Sequence, residues 1–304
     1  MAFDPMASMR TMLEGYMKEA RPLEDMLFVR EKVAVVTGGT SGLGFDIALR
    51  LLQGGAKVVI ASGSQDKGDT AIALFEKNGY GGRVVYKKTN VAEEADVEEL
   101  VRFTDETFGS LDIFVNSVGI WNYAHIYDMQ SSDFEKVLQV NTVGLFLCIK
   151  HISRYMIEHK IKGKITAISS NCPWYPYPVF GGYSHYAASK GAVNALIVES
   201  AKELKRFDIS VNCVAPGGMA TPGSTGTLAG SGLTEEQEDQ IYEEIAVTAY
   251  TGTQSVDGVA MSAYILSTAV ADEITGECLI ADNGMSHNIF RFQPETEKYP
   301  NDEE

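Results

Sequence analysis

Positive charge is what this 304-residue chain lacks most: 25 lysines and arginines stand against 41 aspartates and glutamates, a formal net charge of −16. That balance excludes an electrostatic grip on nucleic acid or anionic lipid, because such binding draws on basic side chains that neutralise phosphates. Cysteine is also scarce. Cys148, Cys172, Cys213 and Cys278 are widely spaced with no C-x-x-C pair, which removes the usual zinc and redox signatures and fits reduced thiols in a cytoplasmic protein. Long apolar runs are missing too. Arg10, Glu14, Lys18 and Glu19 interrupt the first thirty residues, which therefore read as neither a signal peptide nor a membrane span. No internal repeat is present.

What remains is an ordinary globular composition, 45% hydrophobic and 22% charged, enough to bury a substantial core. The length permits one large domain with extensions, since single α/β domains reach ~250 residues. Asp4-Pro5 reads as a helix start, and Met6, Met9, Leu13, Tyr16 and Met17 recur near helical spacing, so residues 5–20 are expected to form an amphipathic helix. Its apolar side would pack on its own domain or on a neighbouring subunit; a polar face of mixed sign disfavours membrane-surface binding. The organisation expected is an N-terminal helical extension (1–30), a catalytic domain (31–286) and an acidic C-terminal tail (287–304).

Within the middle segment, short β-like runs alternate with stretches of helical length. The runs are 32–37, 58–61, 84–86, 113–115, 165–168, 209–212 and 277–281. The helical stretches include 42–53, 92–107, 132–159 and 186–206. This alternation predicts an α/β fold: a single Rossmann-like, doubly wound parallel sheet of about seven strands with helices on both faces. Residues 222–236, rich in Gly, Ser and Thr, are expected to be a mobile loop.

Thr37-Gly38-Gly39-Thr40-Ser41-Gly42-Leu43-Gly44 falls between the first strand and the first helix. Glycines there permit a tight turn and close backbone approach to a pyrophosphate, and the helix start offers free N–H groups to it. Gly38, Thr40, Ser41, Gly42, Leu43 and Gly44 are the candidate cradle. The second strand ends in Ser62-Gly63-Ser64, neither an acid for a ribose diol nor an arginine for a 2′-phosphate. A ribose diol can bond to Ser62 or water, whereas a 2′-phosphate would lack a cation, so NAD(H) is favoured. Lys67 is the one nearby residue that could turn the preference to NADP(H).

Tyr186 and Lys190 lie four apart at the start of a helical stretch, so both project from one face. A phenol with pKa near ~10 is a poor base at neutral pH, and an adjacent ammonium favours its phenolate. Tyr183 competes for the role, but four residues after it comes Ala187, which has no charge to offer.

The order of motifs along the chain is more specific than any one of them: the glycine turn, Asn116-Ser117-Val118-Gly119, Asn141, Ser169-Ser170, Tyr186 with Lys190, and Pro216-Gly217 with Thr221. Over residues 31–286 this pattern resembles the short-chain dehydrogenase/reductases. The resemblance implies that Tyr186 is the general acid/base, Ser170 the hydroxyl that holds the substrate oxygen, and Lys190 the residue that lowers the tyrosine pKa. It implies that Asn141 holds a water in the proton relay. Ser169 competes with Ser170; the second serine is preferred because the family places its catalytic member there. By the same resemblance Asn90 and Val91 border the adenine, Asn116 and Gly119 border the adenosine ribose, and Pro216, Gly217 and Thr221 hold the nicotinamide. The chain departs from the family at Asn90, where aspartate is commoner, at Ser117-Val118, and at Asn283. A homotetramer built on the helices 132–159 and 186–206 is implied as well. The reaction needs no metal.

Aromatic residues fill the loops that would choose the substrate. Trp121, Tyr123 and Tyr127 follow the Asn116 turn, and Trp174, Tyr175, Tyr177 and Phe180 precede Tyr186. They pack their loops or an interface, or they line a slot for a bulky, flat, apolar substrate, with Trp121, Trp174 and Tyr177 beside Ser170 and Tyr186. A hydroxysteroid fits that slot, and the N-terminal extension and the second loop are similar to those of bacterial 20β-hydroxysteroid dehydrogenases. A polyol or sugar acid is the alternative substrate class, for which more polar loops are expected. A non-catalytic NAD(P)-sensing module would be marked by loss of Tyr186 or Lys190, and both are present.

Overall fold

In a computed structural model the chain is described over residues 5–175, 182–219, 221 and 254–287. The predicted strands are present as β1 (Val33–Thr37), β2 (Lys57–Ser62), β3 (Val84–Lys88), β4 (Ile113–Asn116), β5 (Lys164–Ile168), β6 (Ser210–Pro216) and β7 (Cys278–Ala281). They form one sheet in the order β3-β2-β1-β4-β5-β6-β7, with every pairing parallel. β1 and β6 are buried along their whole length, which explains why they read as continuous apolar runs rather than alternating ones.

Helices cover both faces. On one, Ile47, Leu51 and Leu52 of α3 (Gly42–Gln53), Ala71 and Phe75 of α4 (Gln65–Lys77), and Val259, Ala260 and Ala263 of a later helix (Val256–Leu266) pack on Val36, Val58 and Ile60. On the other, α5 (Glu94–Phe108), α7 (Gly144–Glu158) and α8 (Ser184–Leu204) meet Val35, Phe114 and Ile165 through Leu100, Ile152, Met156 and Ile197. α4 and the helix 256–266, numbered α9, lie outside the stretches whose periodicity predicts a helix. α4 carries several polar positions, and α9 is apolar almost throughout, so neither shows a clean stripe.

The stretch 132–159 is not one helix. It divides into α6 (Ser131–Leu138) and α7, joined by a π-helical turn over Gln139–Val143. The side chain of Asn141 explains the break: its Oδ1 accepts from Ile120 N–H at 2.8 Å and its Nδ2 donates to Ile120 O at 2.9 Å. Reaching that loop backbone displaces the helix ladder by one residue, as π turns at functional sites do.

Before β1 lie α1 (Pro5–Glu19) and the short α2 (Leu23–Leu27). Tyr264 of α9 ties the latter down, donating to Leu27 O at 2.6 Å. The apolar residues of α1, Met6, Met9, Met12, Leu13, Tyr16 and Met17, are all exposed. No helix among the described residues is long and apolar enough to cross a membrane. The expected mobile loop 222–236 and the tail beyond His287 lie outside the described residues.

Candidate active site at the carboxyl edge of the sheet

The predicted site residues come from different strands but meet at one edge, the C-terminal ends of β1, β2, β4, β5 and β6, around the point where strand order reverses between β1 and β4. Gly38, with φ +75°, sits so close to β4's continuation that a Cβ would lie 2.8 Å from the carbonyl of Ser117. A Cβ on Gly44 would overlap the carbonyl of Gly38, so α3 can approach the turn only because that position is bare. Gly42 has φ +53°, again conformationally suited to glycine. Ser41 caps α3 without a side-chain hydrogen bond, leaving the first-turn N–H groups to an outside acceptor. Thr40 is half-buried and Leu43 is buried in the core beneath. A nicotinamide dinucleotide's pyrophosphate fits this cradle, whose tight turn side chains at Gly38 and Gly44 would force apart.

At the end of β2, the Ser62 hydroxyl lies 3.5 Å from Ser64 O, a weak contact that leaves it open to a better partner. The Tyr86 hydroxyl reaches the carbonyls of both Ser62 and Ser64 at 2.9 Å, a support not read from the sequence. Lys67 is exposed on the first turn of α4, and exposed Lys88 is the register partner of Ser62. Thr37 donates to Asn116 Oδ1 at 2.7 Å and so fixes the end of β4 against β1. Asn90 is exposed, with its side-chain oxygen turned back to Ala92 N–H at 3.2 Å; Val91 is buried beside Gly144.

The tyrosine–lysine pair stands on the first turns of α8. Lys190 is 3% exposed, and its Nζ donates to Ile168 O at 2.7 Å and lies 5.5 Å from the Tyr186 ring centroid. Burial lowers its pKa to about 8. Gly119 leaves room for the amine: a Cβ there would come within 3.3 Å of Nζ. Tyr186 packs against Trp121 with ring centroids 5.4 Å apart. Tyr183 faces elsewhere, edge-on to Tyr123 at 5.9 Å, and burial holds its pKa above the usual phenol value.

The two serines are separated by their partners. Ser169 is turned into α8, donating to Asn194 Oδ1 at 2.5 Å. The Ser170 oxygen instead accepts from Cys172 N–H at 3.2 Å, and its hydroxyl also bonds the Cys172 thiol. Asn141 is buried, and its second amide proton goes to Ser189 Oγ at 3.0 Å, whose own proton goes to Tyr186 O at 2.7 Å. Both of its amide protons and one lone pair of its oxygen are thus taken by protein groups. Pro216 is buried at the end of β6, and Gly217 follows with its N–H on Gln254 at 2.9 Å; Thr221 is half-buried.

Of the aromatic residues, Trp121 and Tyr123 are half-buried near Tyr186 and Tyr183, whereas Trp174 is 49% and Tyr127 78% exposed. Tyr177 and Phe180 lie outside the described residues. His185 had no sequence signal as a site residue; it is buried beside Tyr186 and contacts Asn122 Oδ1 at 2.7 Å, and burial lowers its pKa.

Residues 32–230 match the family model described as short chain dehydrogenase. Among curated proteins, the chain is 38% identical to "(21S)-21-acetoxyl-apo-melianone synthase SDR" of Melia azedarach, an alignment covering 84% of this chain and 89% of that one. It is 32% identical to 2-dehydro-3-deoxy-D-gluconate 5-dehydrogenase of Formosa agariphila, over 87% and 96% of the two chains. Secoisolariciresinol dehydrogenase of Forsythia intermedia is 35% identical, over 84% and 89%. Of solved structures, levodione reductase superposes with a TM-score of 0.77 at 28% identity, covering 85% of this chain and 99% of that one.

Replacing Gly44 by Ala forces α3 away from the Gly38 turn and weakens dinucleotide binding, expected at tenfold or about 1.4 kcal/mol at the least. Isothermal titration with NADH measures it; an unchanged Kd would remove the cradle from this turn.

Proposed function

The chain belongs to the short chain dehydrogenase family, and on that premise we propose that it moves a hydride between NAD(H) and a secondary alcohol or ketone, with a hydroxysteroid as the substrate class the site fits best. The observation that carries the reading is Lys190, a lysine buried beneath the Tyr186 ring and held by a single carbonyl. A buried ammonium in a structural role is normally paired with a carboxylate; here the group that gains from the charge is a phenol.

When bound, the dinucleotide supplies or accepts the hydride at its nicotinamide. The protein's part is to hold the pyrophosphate on the start of α3, the adenosine ribose near Ser62, Asn116 and Gly119, the adenine near Asn90 and Val91, and the nicotinamide against Pro216, Gly217 and Thr221. Ser170 donates to the substrate oxygen and orients it. Tyr186 gives its hydroxyl proton to a ketone oxygen, or takes one from an alcohol, and Lys190 stabilises the phenolate left behind. Asn141, at the π turn, offers its main chain to a water that resupplies the proton.

The substrate reading rests on the aromatic wall of Trp121 and Tyr186 with Tyr123 and Tyr183 behind. Flat apolar rings suit it better than a polyol. The second reading, a polyol or sugar acid, draws on the Asn122 and His185 pair, the polar feature next to Tyr186, and on the named activity of the Formosa relative. A non-catalytic sensor is disfavoured by the pair itself. Assembly as a homotetramer is supported by Val143 and Phe146 beside and on α7, and Val198 on α8, which are exposed apolar residues near the proposed seam.

Oxidation of a panel of hydroxysteroids and polyols, followed at the reduced-nicotinamide absorbance, is expected to favour the steroids. Tyr186→Phe should lose about 10³-fold in kcat, and Lys190→Met should move the half-activity pH of alcohol oxidation upward. Equal turnover by Tyr186→Phe would sink the mechanism; an unmoved pH profile would remove Lys190 from it. Comparison of kcat/KM for NADH and NADPH should favour NADH, and a preference for NADPH would assign Lys67 or Lys88 to a 2′-phosphate. Light scattering is expected to return four times the 33.1 kDa chain mass; a monomer mass would refute the tetramer.

A further inference from the structure

Two cysteines lie together where the proposed reaction does not use them. Cys213 of β6 and Cys278 of β7 are register partners on adjacent parallel strands. Such partners are separated by ~4.8 Å, within the Cα range that a disulfide spans. Both sulfurs lie against one acceptor, at 3.7 Å and 3.6 Å from Asn194 Oδ1. That same oxygen accepts the Ser169 hydroxyl at 2.5 Å, and the hydroxyl also lies 3.4 Å from the carbonyl of Lys190. One amide oxygen thus joins the thiol pair to the serine before Ser170 and to the helix turn that carries Lys190.

The two thiols differ as a reactive cysteine and its resolving partner differ. Cys213 is fully buried, whereas Cys278 is half-buried on the terminal strand of the sheet. A hydrogen bond from Cys213 favours the Cys278 thiolate and lowers its pKa, while the Cys213 thiol is pushed up. Burial raises the other two, Cys148 to about 12, so neither competes as a thiolate.

We propose that Cys213 and Cys278 are a site of reversible oxidative modification: a hydroperoxide converts them to a disulfide, and the loss of their contacts to Asn194 loosens the Ser169-Ser170 turn. The Cys278 thiolate attacks a peroxide oxygen, the O–O bond breaks, and a sulfenic acid forms as the alkoxide or hydroxide leaves and takes up a proton. The Cys213 thiol then attacks the sulfenic sulfur, and its proton departs with the hydroxyl as water. Two thiols and one hydroperoxide become one disulfide, one alcohol (or water) and one water. β7 has only four residues and one neighbouring strand, so it can shift to close the bond.

The effect on turnover rests on reading Ser170 as the hydroxyl that holds the substrate oxygen, but the modification itself does not. The test treats the full-length protein with hydrogen peroxide, blocks remaining thiols with iodoacetamide and maps the peptides by mass spectrometry. The Cys213 and Cys278 peptides are expected to be linked, with kcat down roughly tenfold, short of the ~10²-fold that a 1 Å misplacement costs, and restored by dithiothreitol. Cys278→Ser, whose hydroxyl can still donate to Asn194, should form no link and keep its activity under peroxide, whereas Cys278→Ala should form no link, start from a lowered kcat and lose no more under peroxide. Full alkylation of both cysteines after peroxide overturns the site. A linked pair with unchanged kcat overturns its coupling to Ser170, and equal inactivation of the Cys278 variants places the damage elsewhere.

Discussion

The arrangement turns on a lysine ammonium placed where water cannot reach it. Lys190 is fully within the protein, and the fall of its pKa from 10.5 to about 8 corresponds to about 3 kcal/mol of destabilised charge. A single carbonyl, Ile168 O, answers it directly. The surroundings are shaped by that placement. Gly119 leaves the amine its room, β5 ends at Ile168, whose carbonyl accepts from the amine, and α8 begins so that Tyr186 covers it.

The neighbouring elements hold that lysine and its tyrosine through polar contacts as well as apolar packing. Asn141 interrupts the long helix to bond the loop at Ile120, and it also reaches α8 through Ser189, so the π turn, the loop carrying Trp121 and the tyrosine's own turn move as one. Asn194 does the same on the opposite side, tying Ser169 to α8 and to the thiols of β6 and β7. Ser170 thereby follows a serine anchored to α8.

Much of this is legible in the amino-acid sequence. Strands with continuous apolar runs and helices at regular intervals leave few alternatives to a buried parallel sheet, and glycines at a strand–helix turn have a backbone reason to be there. The four-residue spacing of Tyr186 and Lys190 distinguishes Tyr186 from Tyr183 in the sequence, and in the fold Tyr186 lies over the lysine whereas Tyr183 lies edge-on to Tyr123. Less legible were α4 and α9, whose patterns lack a stripe, and the π turn, because nothing local at Gln139–Val143 breaks a helix; the cause lies about twenty residues upstream at Ile120.

The amino-acid order by itself determined the fold class, the succession of motifs and the residue types at the site, because hydrophobic period, glycine and i,i+4 spacing are properties of neighbours in the chain. Only the tertiary structure decided that Ser169 faces Asn194 while Ser170 faces Cys172, that Asn141 spends its amide on protein, that α1 leaves its apolar side exposed, and that Cys213 meets Cys278. Those outcomes depend on which distant backbone each side chain reaches once the sheet is assembled, and no local spacing encodes a contact between residues sixty-five positions apart.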